Sequence, residues 1–385
     1  MNSLSGIHIS FVGLLILLPR FIAQAYAISL NGPGSEYLLF AIGLSSFAPY
    51  ITGLLSARLT DSFARGPVNG IPSGSLIAYH SFIYYTIFSV ALLSILSVLR
   101  VGELINAASV GFLVGLSNQV ISLQQIYFVR ERRVGLLGLQ QFFLLILSAL
   151  MCFAVVKWNV DILLAMAVAN TSASIIILLL GSLSSGYRIR SVSIRRFASM
   201  VKYSLFPLVY IACSLCFVAF ISADRMVADF MFGVESKKYF FIVNCYIVFI
   251  TMTARYLRFQ DNWVPVLIFL NALLLAFGVT LWIYSQYFGE VVFFDEYWKI
   301  WALPSTLLLS WKAFHEHRNK RLYVRSVFLF GGLSLLKLIS YYSVAIGYFL
   351  YDEFFTMQCW AFLFAIILFL ELRKYGYFTF ARNCY

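Results

Sequence analysis

Two polar side chains lie on one face of an otherwise apolar stretch, residues 7–30. The stretch is long enough to span a bilayer, which takes about 20 mostly apolar residues. Arg20 is near its middle, and Gln24 follows one helical turn later on the same face. A charge at that depth costs at least ~2.5–3.5 kcal/mol on insertion scales unless it faces something other than lipid. The sequence therefore predicts a membrane helix whose polar face points into a wet interior, or, alternatively, an Arg20 that extends to a lipid headgroup.

Lys337 is a second cation inside a long apolar run, and it must also face a cavity or a partner. No acidic residue lies at a comparable depth in the sequence, so Arg20 and Lys337 favour an anionic ligand or a water-filled lumen. For Lys337 the alternative is a snorkelling side chain or a structural hydrogen bond. Arg255 ends another apolar segment, where it is either a cytoplasmic anchor or part of the inner mouth of the cavity.

Uncharged polar side chains extend the same polar interior. Asn118, Ser122 and Gln125 share one helical face. Further amides occur in other apolar segments, at Gln140, Gln141, Asn170, Asn244 and Asn271. Hydrogen bonds between helices are the alternative role for these amides. Together they would give an interior polar enough for sugar hydroxyls.

Motifs for catalysis are sparse. His315, Glu316 and His317 lie in a basic connection, where a solvated loop is the simpler explanation. The sequence contains no glycine-rich phosphate loop and no G-x-S-x-G motif. Its cysteines fall mostly in apolar runs, where cysteine behaves as a small hydrophobe. We therefore expect a protein that is not an enzyme, with no catalytic residues, no cofactor and no bound metal.

The elements that must hold these side chains are membrane helices. The chain is 62% hydrophobic and 11% charged, whereas soluble domains are about 25% charged. Hydropathy and turn residues predict an all-α polytopic membrane protein of about twelve transmembrane helices, at 7–29, 36–57, 76–99, 104–129, 134–156, 160–183, 203–223, 238–257, 263–287, 297–312, 323–350 and 354–372.

A basic cytoplasmic linker at 184–202 divides these helices equally. It predicts an N-terminal six-helix lobe at 1–183 and a C-terminal six-helix lobe with a short cytoplasmic tail at 203–385, around a central cavity. Two equal halves are typical of transporters built from repeats, although no repeat is visible residue by residue.

The basic residues predict the orientation of the chain. Most of the 28 lysines and arginines fall in alternate connections and in the tail, while acidic residues lean to the other side. The positive-inside rule then places the N- and C-termini in the cytoplasm. The net charge of +12 is explained by contact with anionic headgroups, which predicts membrane lipids and not nucleic acid as partners.

The start of the second lobe carries a recognisable pattern. The segment opens with Tyr-x-x-x-Pro and is followed directly by an Asp-Arg pair. A short link then contains a glycine, and a tyrosine comes after the link. In chain order these residues are Tyr203, Pro207, Asp224, Arg225, Gly233 and Tyr239. This pattern resembles the O-antigen and polysaccharide flippases of the multidrug/oligosaccharidyl-lipid/polysaccharide exporter superfamily. Lys238 departs from it, because the family has a small residue before the tyrosine.

The first turn of the chain is similar to that family as well. An arginine in the first segment is followed by Leu30, Gly34 and Tyr37 around the turn. With the twelve-segment layout and the equal halves, the resemblance extends over the whole chain.

The resemblance implies two six-helix lobes that open alternately to the two sides of a bacterial inner membrane. It implies a cargo of undecaprenyl-pyrophosphate-linked oligosaccharide, an O-antigen or capsule repeat unit, moved from the cytoplasmic to the periplasmic leaflet. A glycan polymerase and a chain-length regulator are the partners it implies. The expected substrate-binding residues of the cavity are the cations and amides above, namely Arg20, Gln24, Asn118, Gln125, Arg255 and Lys337.

Two other functions fit a membrane architecture. A membrane-embedded enzyme of glycan assembly, such as a polymerase or acyltransferase, would have an acid/base cluster or a large loop on the outer side, and the sequence shows neither. A small-molecule antiporter of the same superfamily would have an acid within the membrane, whereas the apolar segments here carry cations.

Overall fold

The computed structural model describes residues 19–47, 102–130, 134–182, 208–231 and 320–346, with a few single residues besides. Within these ranges every regular element is an α-helix and there is no strand, which confirms the all-helical class for this part of the chain. The predicted segments between 48 and 101, and those between 232 and 319, lie outside the described residues.

The helices are numbered in chain order. The described part of the first helix, α1, covers residues 19–29. It is followed by α2 (Leu38–Ser45), α3 (Gly102–Arg130), α4 (Val134–Trp158), α5 (Ile162–Ser182), α6 (Leu208–Met231) and α7 (Lys320–Ala345). All seven fall on predicted apolar segments, and the bounds of α3 to α5 differ from the predicted ones by only a few residues.

Helix α6 is longer at its C-terminal end than the sequence predicts, because the segment was expected to end at 223 before Asp224. Two charged residues in the extra turns form hydrogen bonds with other protein groups. Arg225 Nη2 donates to Ser222 Oγ at 2.7 Å, and Asp229 Oδ2 accepts a hydrogen bond from the Phe40 N–H of α2 at 2.6 Å. The predicted end of this segment at 223 is therefore wrong, since the helix continues to Met231 and the Arg225 side chain within it is only 1% exposed.

Among the described residues, two helices are long and apolar enough to cross a membrane. They are the 24-residue stretch Gly135–Trp158 of α4 and the 19-residue stretch Ile162–Leu180 of α5. Large apolar side chains are exposed along α4, mostly at intervals of three or four residues, at Leu139, Phe142, Leu145, Ile146, Leu150, Phe153 and Val156. Such a stripe on one side of a helix is the surface that lipid tails would cover.

A tight connection joins α4 to α5. Asn159 adopts the left-handed conformation with φ of 53°. Asp161 then caps α5, because its Oδ1 accepts hydrogen bonds from the N–H groups of Leu163 at 2.7 Å and Leu164 at 3.1 Å. The two helices therefore form a helical hairpin.

The short helix α2 lies between α3 and α6, and all eight of its residues are buried. Two glycines allow these close approaches. A Cβ at Gly111 of α3 would lie 2.7 Å from the Ala41 carbonyl oxygen, and a Cβ at Gly43 of α2 would lie 2.7 Å from Met226 Cγ of α6. Small residues at helix contacts are typical of membrane helix packing.

Helices α3, α4 and α5 pack around a small apolar cluster. Ile121, Ala173 and Ile177 are buried together, and Leu144 and Leu147 of α4 pack against them. Beside this cluster, the buried Gln140 of α4 donates through Nε2 to the Ile121 carbonyl oxygen of α3 at 3.4 Å.

The chain divides into two compact units. One comprises Leu15–Lys238 with Lys320–Leu335, and it contains α1 to α6 and the first part of α7. In it, Ser334 Oγ donates to the Cys216 carbonyl oxygen of α6 at 3.2 Å. The other unit comprises Met1–Leu14, Tyr239–Asn319 and Leu336–Tyr385. The predicted linker lies almost wholly outside the described residues, so the division into 1–183 and 203–385 stays a prediction.

Candidate functional site between α1 and α5

Helices α1 and α5 run antiparallel, and three contacts join α1 and the turn after it to α5. Near one end, the Ile162 N–H donates to the Pro33 carbonyl oxygen at 3.0 Å. Further along, Gln24 Nε2 donates to Met166 Sδ at 3.0 Å, and Arg20 Nη1 donates to Asn170 Oδ1 at 3.1 Å. The step from Gln24 back to Arg20 on α1 matches the step from Met166 forward to Asn170 on α5. The polar face of α1 therefore lies against α5.

The Arg20 guanidinium is half-buried, and its partner Asn170 is only 7% exposed. Asn170 also donates through Nδ2 to the Met166 carbonyl oxygen of its own helix at 2.7 Å. The amide therefore connects a charged donor on α1 to the backbone of α5. In the described ranges, this cation donates to a neutral amide and not to a carboxylate.

Gln24 lies one turn away from Arg20 and is almost completely buried, at 1% exposure. Its Nε2 contacts the Met166 sulfur, a weak acceptor. Its Oε1 has no hydrogen-bond partner among the described residues. A buried amide oxygen without a partner is costly, which makes this position a polar point in an apolar interface.

The structure thus brings Arg20 and Gln24 together with Asn170, which the sequence had given only as one amide among several. Counting residues from the helix ends could have paired Arg20 with Asn170. Arg20 lies nine residues before Ser29, the last residue of α1, and Asn170 lies eight residues after Ile162, which starts α5. Both therefore lie about 12–14 Å from the same end of the bundle.

The other predicted cavity residues are placed separately. Lys337 of α7 is 4% exposed, and its Nζ lies 5.8 Å from the centroid of the Tyr341 ring. Asn118 is half-buried on α3. The side chain of Gln125 and the whole of Arg255 lie outside the described residues. Whether these residues share a cavity with Arg20 stays a prediction.

The residues of the family pattern are described in part. Arg225 is buried in α6 beside Ser222, and Asp224 lies on the same helix without a described side chain. Around the first turn, Gly34 has a φ of 77°, and a Cβ there would lie 2.7 Å from Asp161 Cγ. Only glycine fits both the conformation and the contact. Pro207, Gly233 and Tyr239 lie outside the described residues.

Three parts of the chain meet at one end of this bundle. The turn after α1 contacts the α4–α5 connection through Pro33 and Ile162. The start of α2 contacts the last turn of α6, where the rings of Tyr37 and Phe230 lie 6.0 Å apart. The sequence predicts that all three face the outer side, and the geometry places them together.

The chemistry available at this site is hydrogen bonding and charge. In the described ranges, no three residues among His, Cys, Asp and Glu come close enough to hold a metal ion. The Arg20 guanidinium, held by a neutral amide, can attract an anion, while Gln24 offers a further polar atom beside it.

The chain was compared with family models, curated proteins and solved structures, and it matches none of them.

Proposed function

We propose that this protein is a flippase of a bacterial inner membrane that moves a pyrophosphate-linked oligosaccharide from the cytoplasmic to the periplasmic leaflet. The cargo is an O-antigen or capsule repeat unit on undecaprenyl pyrophosphate. About twelve helices in two six-helix lobes surround its cavity, and both termini are cytoplasmic.

The observation that carries the proposal is the Arg20–Asn170 contact. Both residues lie about 12–14 Å from one end of their helices, which is about half of a 30 Å hydrocarbon core. A guanidinium at this depth keeps its charge next to a neutral amide. A pyrophosphate that enters the interior offsets the cost of this charge, and the charge in turn offsets the desolvation of the pyrophosphate.

The apolar surfaces support a lipid-borne cargo. Helix α4 exposes a stripe of large apolar side chains, and α5 exposes Leu164, Val168, Ile175 and Leu179. A prenyl tail can stay against such surfaces while the polar head group occupies the interior, so the transport of the head requires no apolar tunnel.

The test is a deletion of the gene followed by complementation. We expect lipid-linked repeat units to be made and to remain in the cytoplasmic leaflet, where they are protected from a periplasmic glycan-binding probe. Complementation with the wild-type gene should restore their exposure. The matched control is deletion of the glycan polymerase, which should leave single repeat units exposed on the periplasmic side.

Two results would contradict the proposal. If deletion leaves the units exposed on the periplasmic side but unpolymerised, the protein is an enzyme of glycan assembly. If deletion leaves glycan display unchanged but alters sensitivity to small toxic compounds, the protein is an antiporter.

A further inference from the structure

We propose that Asn170 is a positioning residue that holds Arg20 for the pyrophosphate of the lipid carrier and, being neutral, leaves its charge available. This inference rests on the proposed function and deepens it, because it names the group that determines whether the site attracts an anion.

The orientation of the Asn170 amide follows from the chemistry of its two partners. Arg20 offers only donors, and the Met166 carbonyl offers only an acceptor. The amide must therefore turn Oδ1 to Arg20 and Nδ2 to Met166, and the observed distances of 3.1 Å and 2.7 Å have this arrangement. The reverse orientation would place donor against donor and acceptor against acceptor. Asn170 is thus fixed by its own helix and presents one defined acceptor to α1.

The remaining donors of Arg20 explain why this acceptor matters. A guanidinium carries five N–H donors in a planar fork. In the described parts of the chain, one of its terminal nitrogens is engaged with Asn170. Among the described residues this contact leaves the other edge of the fork for two phosphate oxygens, the bidentate geometry that arginine forms with phosphates.

The neutrality of the partner is the second part of the argument. An aspartate at the same position would also accept from Arg20, and its negative charge would cancel the attraction for an anion. Aspartate lacks the Nδ2 donor to the Met166 carbonyl, so a purely structural role predicts a change in stability with an unchanged preference for pyrophosphate. The two roles therefore predict opposite results for Asn170→Asp.

The experiment uses purified full-length protein in nanodiscs with undecaprenyl pyrophosphate as the probe and undecaprenol as the uncharged comparison. We expect wild-type protein to bind the pyrophosphate at least about tenfold more tightly than the alcohol, since a charge-assisted hydrogen bond is worth ~1.5–3 kcal/mol. Folded Asn170→Asp protein should lose this preference, while its thermal unfolding midpoint should fall because the hydrogen bond to the Met166 carbonyl is lost. Asn170→Leu, which keeps the charge but not the acceptor, should weaken pyrophosphate binding severalfold.

A matched control is Gln140→Glu, an amide-to-acid change at another buried amide that contacts a neighbouring helix. The proposal expects this variant to keep the preference for pyrophosphate, because its acid does not face Arg20. Folded Asn170→Asp protein that binds like wild type would overturn the proposal. If that variant does not accumulate, Asn170→Leu decides, and binding equal to wild type would overturn it as well.

The outcome is separable from that of the proposed function. Deletion of the gene tests translocation without reference to Asn170. Pyrophosphate preference that depends on Asn170 supports the positioning role even where the deletion phenotype is absent. A deletion phenotype with unchanged binding in the Asn170 variants leaves the flippase and removes the positioning residue.

Discussion

At the scale of the residue, the molecule places polar groups where two helices meet. Arg20 contacts Asn170 and Gln24 contacts Met166 between α1 and α5, and Asp229 of α6 accepts a hydrogen bond from the Phe40 N–H of α2. Each is a contact that an apolar interface needs in order to accept a polar side chain. What separates Arg20 from the others is a full charge with a neutral partner at mid-helix depth, which makes its chemistry directly testable.

Substitutions of Arg20 should follow charge. Arg20→Lys keeps a cation but loses the bidentate fork, so it should retain part of the activity. Arg20→Ala and Arg20→Glu should abolish surface glycan in a deletion strain at matched membrane protein levels. Lys157→Ala, which removes an exposed cation from the last turn of α4, is the control and should behave like wild type. Normal glycan with Arg20→Ala would contradict the cationic site.

The cap at Asp161 gives a prediction for stability. Its carboxylate satisfies two N–H groups at the start of α5, so Asp161→Ala should cost about 1 kcal/mol. Asp161→Asn should restore most of this, because asparagine caps a helix nearly as well as aspartate. Thermal unfolding of the purified variants measures the difference. Equal losses for both substitutions would show that charge, and not capping, is the role of Asp161.

At the scale of the element, the apolar pattern of the sequence predicts where the described helices lie much better than it predicts the contacts between them. Helices α3 to α5 were predicted nearly at their observed bounds, because an apolar run of membrane length with turn residues at its ends leaves little choice. The end of α6 was missed, since Asp229 is satisfied by the backbone of Phe40, 189 residues away in the sequence. The pair Arg20 and Asn170 is separated by 150 residues, and a single sequence contains no signal for such a pairing beyond equal depth.

Glycine positions test the packing of α2. Gly111→Ala should be destabilising by roughly 1–3 kcal/mol, because its Cβ would meet the backbone oxygen of Ala41 at 2.7 Å. Gly138→Ala on α4 is the matched control, since Gly138 is exposed and a Cβ there meets nothing within 4 Å. Removing a glycine from a helix interior at such a place should be neutral or stabilising by ~0.5–1 kcal/mol. The two variants are therefore expected to differ in sign, as read from thermal unfolding; a stabilised Gly111→Ala protein would contradict the close approach of α2 and α3.

At the scale of the whole molecule, the sequence and the geometry constrain sidedness independently. The positive-inside rule assigns each connection to a side by its charge. The contacts bring the turn after α1, the α4–α5 connection and the last turn of α6 to one end of the bundle. These three are among the connections that the charge distribution places outside, so the two arguments can be examined with the same set of reporter fusions.

Fusions at Gly32, Asn159 and Asp295 should report the periplasm, and fusions at Gly186 and Asn319 should report the cytoplasm. Gly32 and Asn159 form the sharpest pair, because the Pro33 carbonyl accepts a hydrogen bond from the Ile162 N–H and the two connections cannot lie on opposite sides of a membrane. The measurement is paired reporters, one active only in the periplasm and one only in the cytoplasm, at each position. Opposite sides for Gly32 and Asn159 would contradict the packing of α1 against α5. A periplasmic signal at Gly186 would leave that packing intact and would overturn the predicted helix count and the boundary between the lobes.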